Sequence, residues 1–193
     1  IGLVTFIVFI YLANSVRRFR ENTWRALFRP FIFYTDVREQ NLIPTFHNFL
    51  LAVILSIGSG LFFANLLHYW KDSQLLDIML AVIFSNDKLK IYLDQYFSNP
   101  LKLTALLSAV SFVKIILLSI FIWLFSLTLK YRISFNNIFT VTVWGLLPTI
   151  LLLIIGTFYV RIIHSNTDFI IIGLWTAGFL YLLSLYRIFK GTY

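Results

Sequence analysis

LTALLSAVSFVKIILLSIFIWLFSLTL, residues Leu103–Leu129, decides the fold. It exceeds the roughly 20 apolar residues that cross a bilayer. Its one charge, Lys114, lies near the middle. A lysine at that depth costs at least ~2.5–3.5 kcal/mol to insert and usually faces a protein interior or a wet cavity. The stretch therefore reads as a membrane span that retains a costly ammonium.

Composition extends this reading to the whole chain. Of its 193 residues, 60% are hydrophobic and 19% aromatic. A soluble domain is nearer to about 45–50% apolar. The excess falls in blocks separated by polar loops, so the fold expected is all-α and polytopic. The net charge of +8 suggests a nucleic-acid partner at first sight. The positive-inside rule accounts for it better, and no nucleic acid is expected. The absence of cysteine rules out disulfides and thiolate metal sites.

The apolar blocks are Ile1–Asn14 and then about Phe46–Trp70, Leu103–Leu129, Ile138–Val160 and Phe169–Phe189. They give about five transmembrane helices. Ile1–Ala13 is too short to cross by itself and lacks the basic residues that precede a signal-peptide core. It reads as a truncated first span (residues 1–14), with further chain and an external domain expected upstream. The run Leu75–Phe84 is also short, and is read as an interfacial or re-entrant helix. Residues 15–44 form a basic cytoplasmic segment, and residues 45–193 a helical membrane domain.

Basic residues alternate between the two sides. Arg17, Arg18, Arg20, Arg25, Arg29, Arg38, Lys130, Arg132, Arg187 and Lys190 fall on one side, ten in all. Lys71, Lys88, Lys90, Lys102 and Arg161 fall on the other, interleaved with five aspartates. The richer side is the cytoplasmic one, with the N-terminus outside and the C-terminus inside. A bacterial cytoplasmic membrane is the location expected.

Val16–Phe28 carries a helical pattern. Val16, Phe19, Thr23, Leu27 and Phe28 share one face, and Arg17, Arg18, Glu21 and Arg25 lie mostly on the other. Ser15 is the expected N-cap, Glu21–Arg25 the expected i,i+4 pair, and Pro30 the stop. Arg17, Arg18, Arg20, Arg25 and Arg29 then either rest on anionic lipids or dock a partner. Phe31–Pro44 reads as an elbow. Asp72, Asp77, Asp87 and Asp94 are too widely spaced for a calcium loop and read as a solvated segment.

Within the spans, Ser56, Gly60 and Ala64 recur every fourth residue, a stripe that allows close helix packing or a dimer seam. Gly173 and Ala177 repeat it. Gly145 and Pro148 mark a kink in the fourth span. No acidic residue lies inside any span; Asp168 and Asp77 are the nearest, both at the outer boundary and beyond full reach of snorkelling, so the expected partners of Lys114 are Asn65, a carbonyl freed by Pro148, water or a lipid phosphate. A tolerated lysine on a tilted helix is the alternative.

No phosphate-binding loop, zinc-protease or serine-hydrolase motif is present. His47, His68 and His164 are scattered and make no metal site. No pair of carboxylates lies in a span, which excludes an aspartyl intramembrane protease. Catalysis is not expected, and neither cofactor nor metal is implied.

Two stretches resemble a known family. Arg29–Pro44, RPFIFYTDVREQNLIP, runs into the first hydrophobic hairpin, and Ser134–Ile150, SFNNIFTVTVWGLLPTI, opens the fourth span. Together they resemble the Yip domain family of Ypt/Rab-interacting membrane proteins, in its bacterial form. Trp144, Gly145 and Pro148 stand where that family has an aromatic–small–x–x–Pro signature. Ser134, Phe135 and Phe139 resemble the entry into that helix. The likeness covers about residues 28–190. It implies a helical, non-catalytic membrane protein. Eukaryotic members act in vesicle traffic with small GTPases, and bacterial ones occur near transporter components. An additional span precedes the domain here and no long cytosolic N-terminal segment is visible, so no small GTPase is expected. The function expected is a membrane scaffold or accessory subunit of a transport complex, bound to other membrane subunits. A small transporter or channel with a conduit past Lys114, or a lipid-handling protein, is the alternative.

The native chain has no cysteine, so single cysteines report topology cleanly. Arg20→Cys and Lys190→Cys should resist an impermeant thiol reagent added from outside, and Asp94→Cys should react. External labelling at position 190 would invert the assignment.

Overall fold

The computed structural model describes residues 1–38, 44–71, 73, 74, 78, 82, 96–127, 133–165 and 168–192. Among them the regular structure is entirely helical. The helices are α1 (Gly2–Ser15), α2 (Arg17–Phe28), α3 (Pro30–Arg38), α4 (Thr45–Tyr69), α5 (Pro100–Ser126), α6 (Phe135–Gly145), α7 (Leu151–Ser165) and α8 (Asp168–Thr192). A 3-10 turn, Leu147–Ile150, joins α6 to α7. The run Leu75–Phe84 lies outside the described residues except for Ile78 and Val82, and so do Asp72, Asp77, Asp87 and Asp94.

Three helices, α4, α5 and α8, are long and apolar enough to cross a membrane. The count rises to five if two bent pairs are each one span: α1 with α2 at 108°, and α6 with α7 at 46°. This is consistent with an integral membrane protein. Local chemistry sets the ends. Asn99 caps α5, its side chain accepting from the Leu101 and Lys102 amides, with Pro100 in the first turn. Ser134 caps α6 through the Asn137 amide. Pro148 has no amide hydrogen to continue the helix, so the fourth apolar block breaks after Gly145 and restarts at Leu151.

The N-terminal segment departs from the sequence reading in several particulars. Ser15 ends α1 and does not cap α2; the joint is Val16, extended at φ −112°, ψ 100°. Glu21 pairs with Arg17 at 2.9 Å, while Arg25 reaches Asp36 on α3 at 3.2 Å. Pro30 both ends α2 and opens α3, so the elbow is largely helical. Phe28 is exposed, and Ala26 takes the buried place beside Phe19. The reason is the fold-back: α2 is covered from two directions, by α1 and α3, and not from one.

Helix α4 is the hub. In its most apolar window 67% of residues are buried, against 17% for α5 and 28% for α8. Small residues permit this density. A Cβ on Gly60 would lie 2.6 Å from the Ser108 amide nitrogen of α5, and one on Gly58 3.0 Å from Leu153 Cβ of α7. Gly156 of α7 returns the contact, a Cβ there lying 3.1 Å from the Phe62 nitrogen. Ser56 and Ala64 are buried on the same helix. In α8, Gly173 admits the ring of Tyr159, whose Cε2 would be 2.6 Å from an added Cβ, and Ala177 is buried.

At one end of the bundle Trp144 is completely buried beneath Phe19 and Phe33, with ring centroids 5.6 and 5.2 Å away. There Arg187 of α8 donates to the Ala26 and Leu27 carbonyls at 3.1 and 3.0 Å. These belong to the last turn of α2, whose carbonyls lack helical partners and favour a cation. The ends of α2 and α8 therefore lie on the same side of the bundle.

Replacing Gly60 with Leu should force α4 and α5 apart. The expected loss is about 1–3 kcal/mol, as for overpacking at a tight helix contact. Thermal unfolding in detergent would measure it, and an unchanged Tm would contradict this packing.

Candidate functional site

Three polar side chains meet near the midpoints of α4, α5 and α8. Lys114 has 14 residues of α5 before it and 12 after, placing it about 21 and 18 Å from the two ends at 1.5 Å per residue. Its Nζ donates to the Tyr181 hydroxyl of α8 at 3.2 Å and lies 4.3 Å from the Tyr181 ring centroid. Tyr181 in turn donates to Ser59 Oγ of α4 at 3.0 Å. Burial falls along this relay: Ser59 is buried, Tyr181 half-buried and Lys114 exposed. Phe63 stacks on Tyr181 at 6.3 Å and helps hold the ring.

The ammonium does not enter the bundle as a buried group. It opens onto the outer face of α5. Leu106, Val110, Val113, Leu117, Ile120 and Leu124 share that face, and among its described residues Lys114 is the one ionisable group. Val110 and Leu117 are 57% and 59% exposed, so the described residues cover little of this face.

The partners expected for Lys114 are engaged elsewhere. Asn65 Nδ2 donates to the Gly156 carbonyl at 2.6 Å and ties α4 to α7. Pro148 leaves the carbonyl of Trp144, four residues back, without its helical donor, and Trp144 is enclosed beneath Phe19 and Phe33; next to it the Leu146 carbonyl accepts from the Thr149 amide and hydroxyl at 2.9 and 2.7 Å. Gly145 packs against Ile188. The kink therefore serves the closed end of the bundle and does not meet Lys114. Tyr181 and Ser59 were not legible as partners, because nothing local distinguishes either from other hydroxyls in the spans.

A second polar group is fully enclosed. Asn48 donates to Thr140 Oγ1 at 2.7 Å and accepts from Trp144 Nε1 at 2.8 Å. Each member is buried and partnered, as an anchor between α4 and α6 must be in a dry environment. It has no access from outside and suits structure.

On α2, Arg17, Arg18, Arg20, Arg25 and Arg29 are all exposed. Arg20, Arg25 and Arg29 line a shallow depression of about 580 Å³ with Trp24 and Phe28, whose rings lie 4.2 Å apart. Exposed aromatics beside arginines suit a membrane–water boundary. Among the described residues no three His, Asp or Glu side chains gather as a metal site. His68 Nδ1 lies 2.8 Å from the Phe97 carbonyl, and His47 packs on Phe19.

No family model matches the chain, and neither does any curated protein or solved structure. The Yip resemblance gains no support from these comparisons.

The two polar groups should respond differently to mutation. Asn48→Leu leaves the buried Trp144 Nε1 without an acceptor, and should cost about 1–3 kcal/mol. Tyr181→Phe keeps the ring beneath Lys114 and should cost only about 0.6 kcal/mol, the usual worth of an interhelical hydrogen bond in a membrane. Unfolding in detergent would rank them; a larger loss for Tyr181→Phe would make the Lys114 relay a structural anchor.

Proposed function

We propose that this chain is a non-enzymatic integral-membrane subunit, a scaffold or accessory component of a membrane complex, which docks other membrane helices along α5. One observation carries the reading: a mid-helix lysine stands on an outward face that the other described helices leave open. Facing lipid, that ammonium is expensive. Facing a second protein, it becomes a recognition group. The residues of that face support this, since 106, 110, 113, 117, 120 and 124 alternate in steps of four and three. That is the seam spacing of helices packed side by side.

A conduit past Lys114 is less well supported. On its inner side the lysine meets Tyr181 and Ser59, and a turn and a half away α4 and α5 close on each other at Gly60 and Ser108. In the proposed arrangement the arginines of α2 and the end of α8 face the cytoplasm of a bacterial cell, with α2 resting on anionic lipid. A transporter is one candidate for the complex. The reading agrees with what the Yip resemblance implies and does not depend on it.

A photo-cross-linking residue at Val113 or Leu117 tests this in the native membrane. Adducts with another membrane protein are expected there, and none at Phe179, an exposed position on α8. Lipid adducts alone at all three positions would refute the subunit reading.

A further inference from the structure

The seam on α5 also defines the chemistry of what it binds. We infer that its occupant is a membrane-spanning helix of a different protein, carrying an aspartate or glutamate at mid-bilayer depth opposite Lys114. This rests on the subunit reading and adds the partner's chemistry.

The lysine is only partly satisfied within the chain. An ammonium has three donors. One goes to the Tyr181 hydroxyl, which itself donates to Ser59, and no carboxylate among the described residues pairs with the ammonium. Among the described residues the ion pairs are Arg17–Glu21 and Arg25–Asp36, both far from α5 along the chain. A carboxylate against this face would take up the remaining donors and cancel the charge where water is scarce.

Among the described residues, a second copy of this chain offers no carboxylate at that depth. The eight acidic residues are Glu21, Asp36, Glu39, Asp72, Asp77, Asp87, Asp94 and Asp168. None lies in the interior of α4, α5 or α8; Asp168 is the first residue of α8, 13 positions before Tyr181. Two copies packed symmetrically on this seam would bring Lys114 towards Lys114, which is repulsive. The charge on the seam therefore favours another protein over a second copy.

A lipid phosphate fits less well. The phosphate layer lies about 15 Å from the bilayer centre, half the hydrocarbon thickness. Snorkelling toward it draws a lysine along its helix to the interface. Here Nζ is turned sideways, over the ring of Tyr181 on the neighbouring helix. The surroundings favour a helix: Ala109, Val110 and Val113 are small or β-branched, so another backbone can approach the ammonium.

The test is association in neutral phosphatidylcholine vesicles between the labelled full chain and a synthetic span of about 20 leucines and alanines with one central glutamate. Versions with glutamine or leucine at that place are the comparison, and energy transfer is the readout. The glutamate span should associate at least about tenfold more tightly than either, a modest figure for a desolvated charge pair. Lys114→Gln should abolish the preference and Lys114→Arg should keep it, which separates lost charge from lost folding. Lys114→Glu should transfer the preference to a span with a central lysine. Equal association of glutamate and glutamine spans would overturn the inference, as would a preference that survives Lys114→Gln. Its loss on changing to phosphatidylglycerol would assign the site to a lipid head group. Lys114-dependent energy transfer between copies of the chain would assign it to self-association. If the cross-linked neighbour has no acidic residue in its spans, this inference fails while the subunit reading stands. Lipid adducts alone at Val113 and Leu117 remove the subunit reading first.

Discussion

A polar atom in the middle of a bilayer has no water to turn to, and this constraint organises the bundle. Most hydroxyls meet it within their own helix. Ser56, Ser108, Ser119, Thr142, Thr157 and Thr176 each donate to the carbonyl four residues back. The longer polar side chains meet it between helices. Asn48 joins α4 to α6, Asn65 joins α4 to α7, Tyr159 joins α7 to α8, and Tyr181 joins α8 to α4. Three of these four links end on α4. The apolar contacts converge on it as well, because Gly58 and Gly60 let the neighbouring backbones approach. The hub thus follows from small residues and amides placed on one helix.

The end of the bundle formed by α2, α3, α6 and the last turns of α8 is built differently. Aromatic packing of Phe19 and Phe33 on Trp144 fills it, and Arg187 ties α8 to the last carbonyls of α2. Tyr34 of α3 is buried there, close to Gly145 and Gly191. Burial raises its hydroxyl to about 12, although the nearby Arg187 charge pulls the other way. The phenol is therefore neutral under ordinary conditions and packs as an aromatic wedge. A basic amphipathic helix that merely lay on a leaflet would bury neither Phe19 nor Ala26 against the protein. Here α2 is part of the core on one side and offers arginines on the other.

What the sequence disclosed follows the range of the forces involved. Span length and hydropathy are local sums, so α4, α5 and α8 were legible, and so was the break at Pro148, which follows from one missing amide hydrogen. The pairing of side chains between helices is not local. Arg25 stands at i,i+4 from Glu21, yet Asp36 takes it once α3 folds back, and Arg17 takes Glu21. Lys114 was conspicuous as a charge, but Tyr181 lies 67 residues away and resembles any other tyrosine until the helices are assembled. Its exposure was harder still to foresee. Hydrophobicity alone does not say which apolar faces meet protein and which are left open.

On the proposed reading, that exposure bears on how such a subunit would wait for its partner. Insertion of the lysine costs at least ~2.5–3.5 kcal/mol. A desolvated cation–π contact returns about 2 kcal/mol, and Tyr181 supplies both the ring and a hydroxyl acceptor. That return is smaller than the cost, so part of the expense of the charge stays uncompensated within the chain. Tyr181 is held in turn by Ser59 on the hub, so the ammonium is positioned before a partner arrives. A flexible lysine would spend part of the binding free energy on being ordered, whereas one already held over a ring does not. On that reading, the same phenol that offsets part of the charge's cost in the free chain would also make it effective as a recognition group.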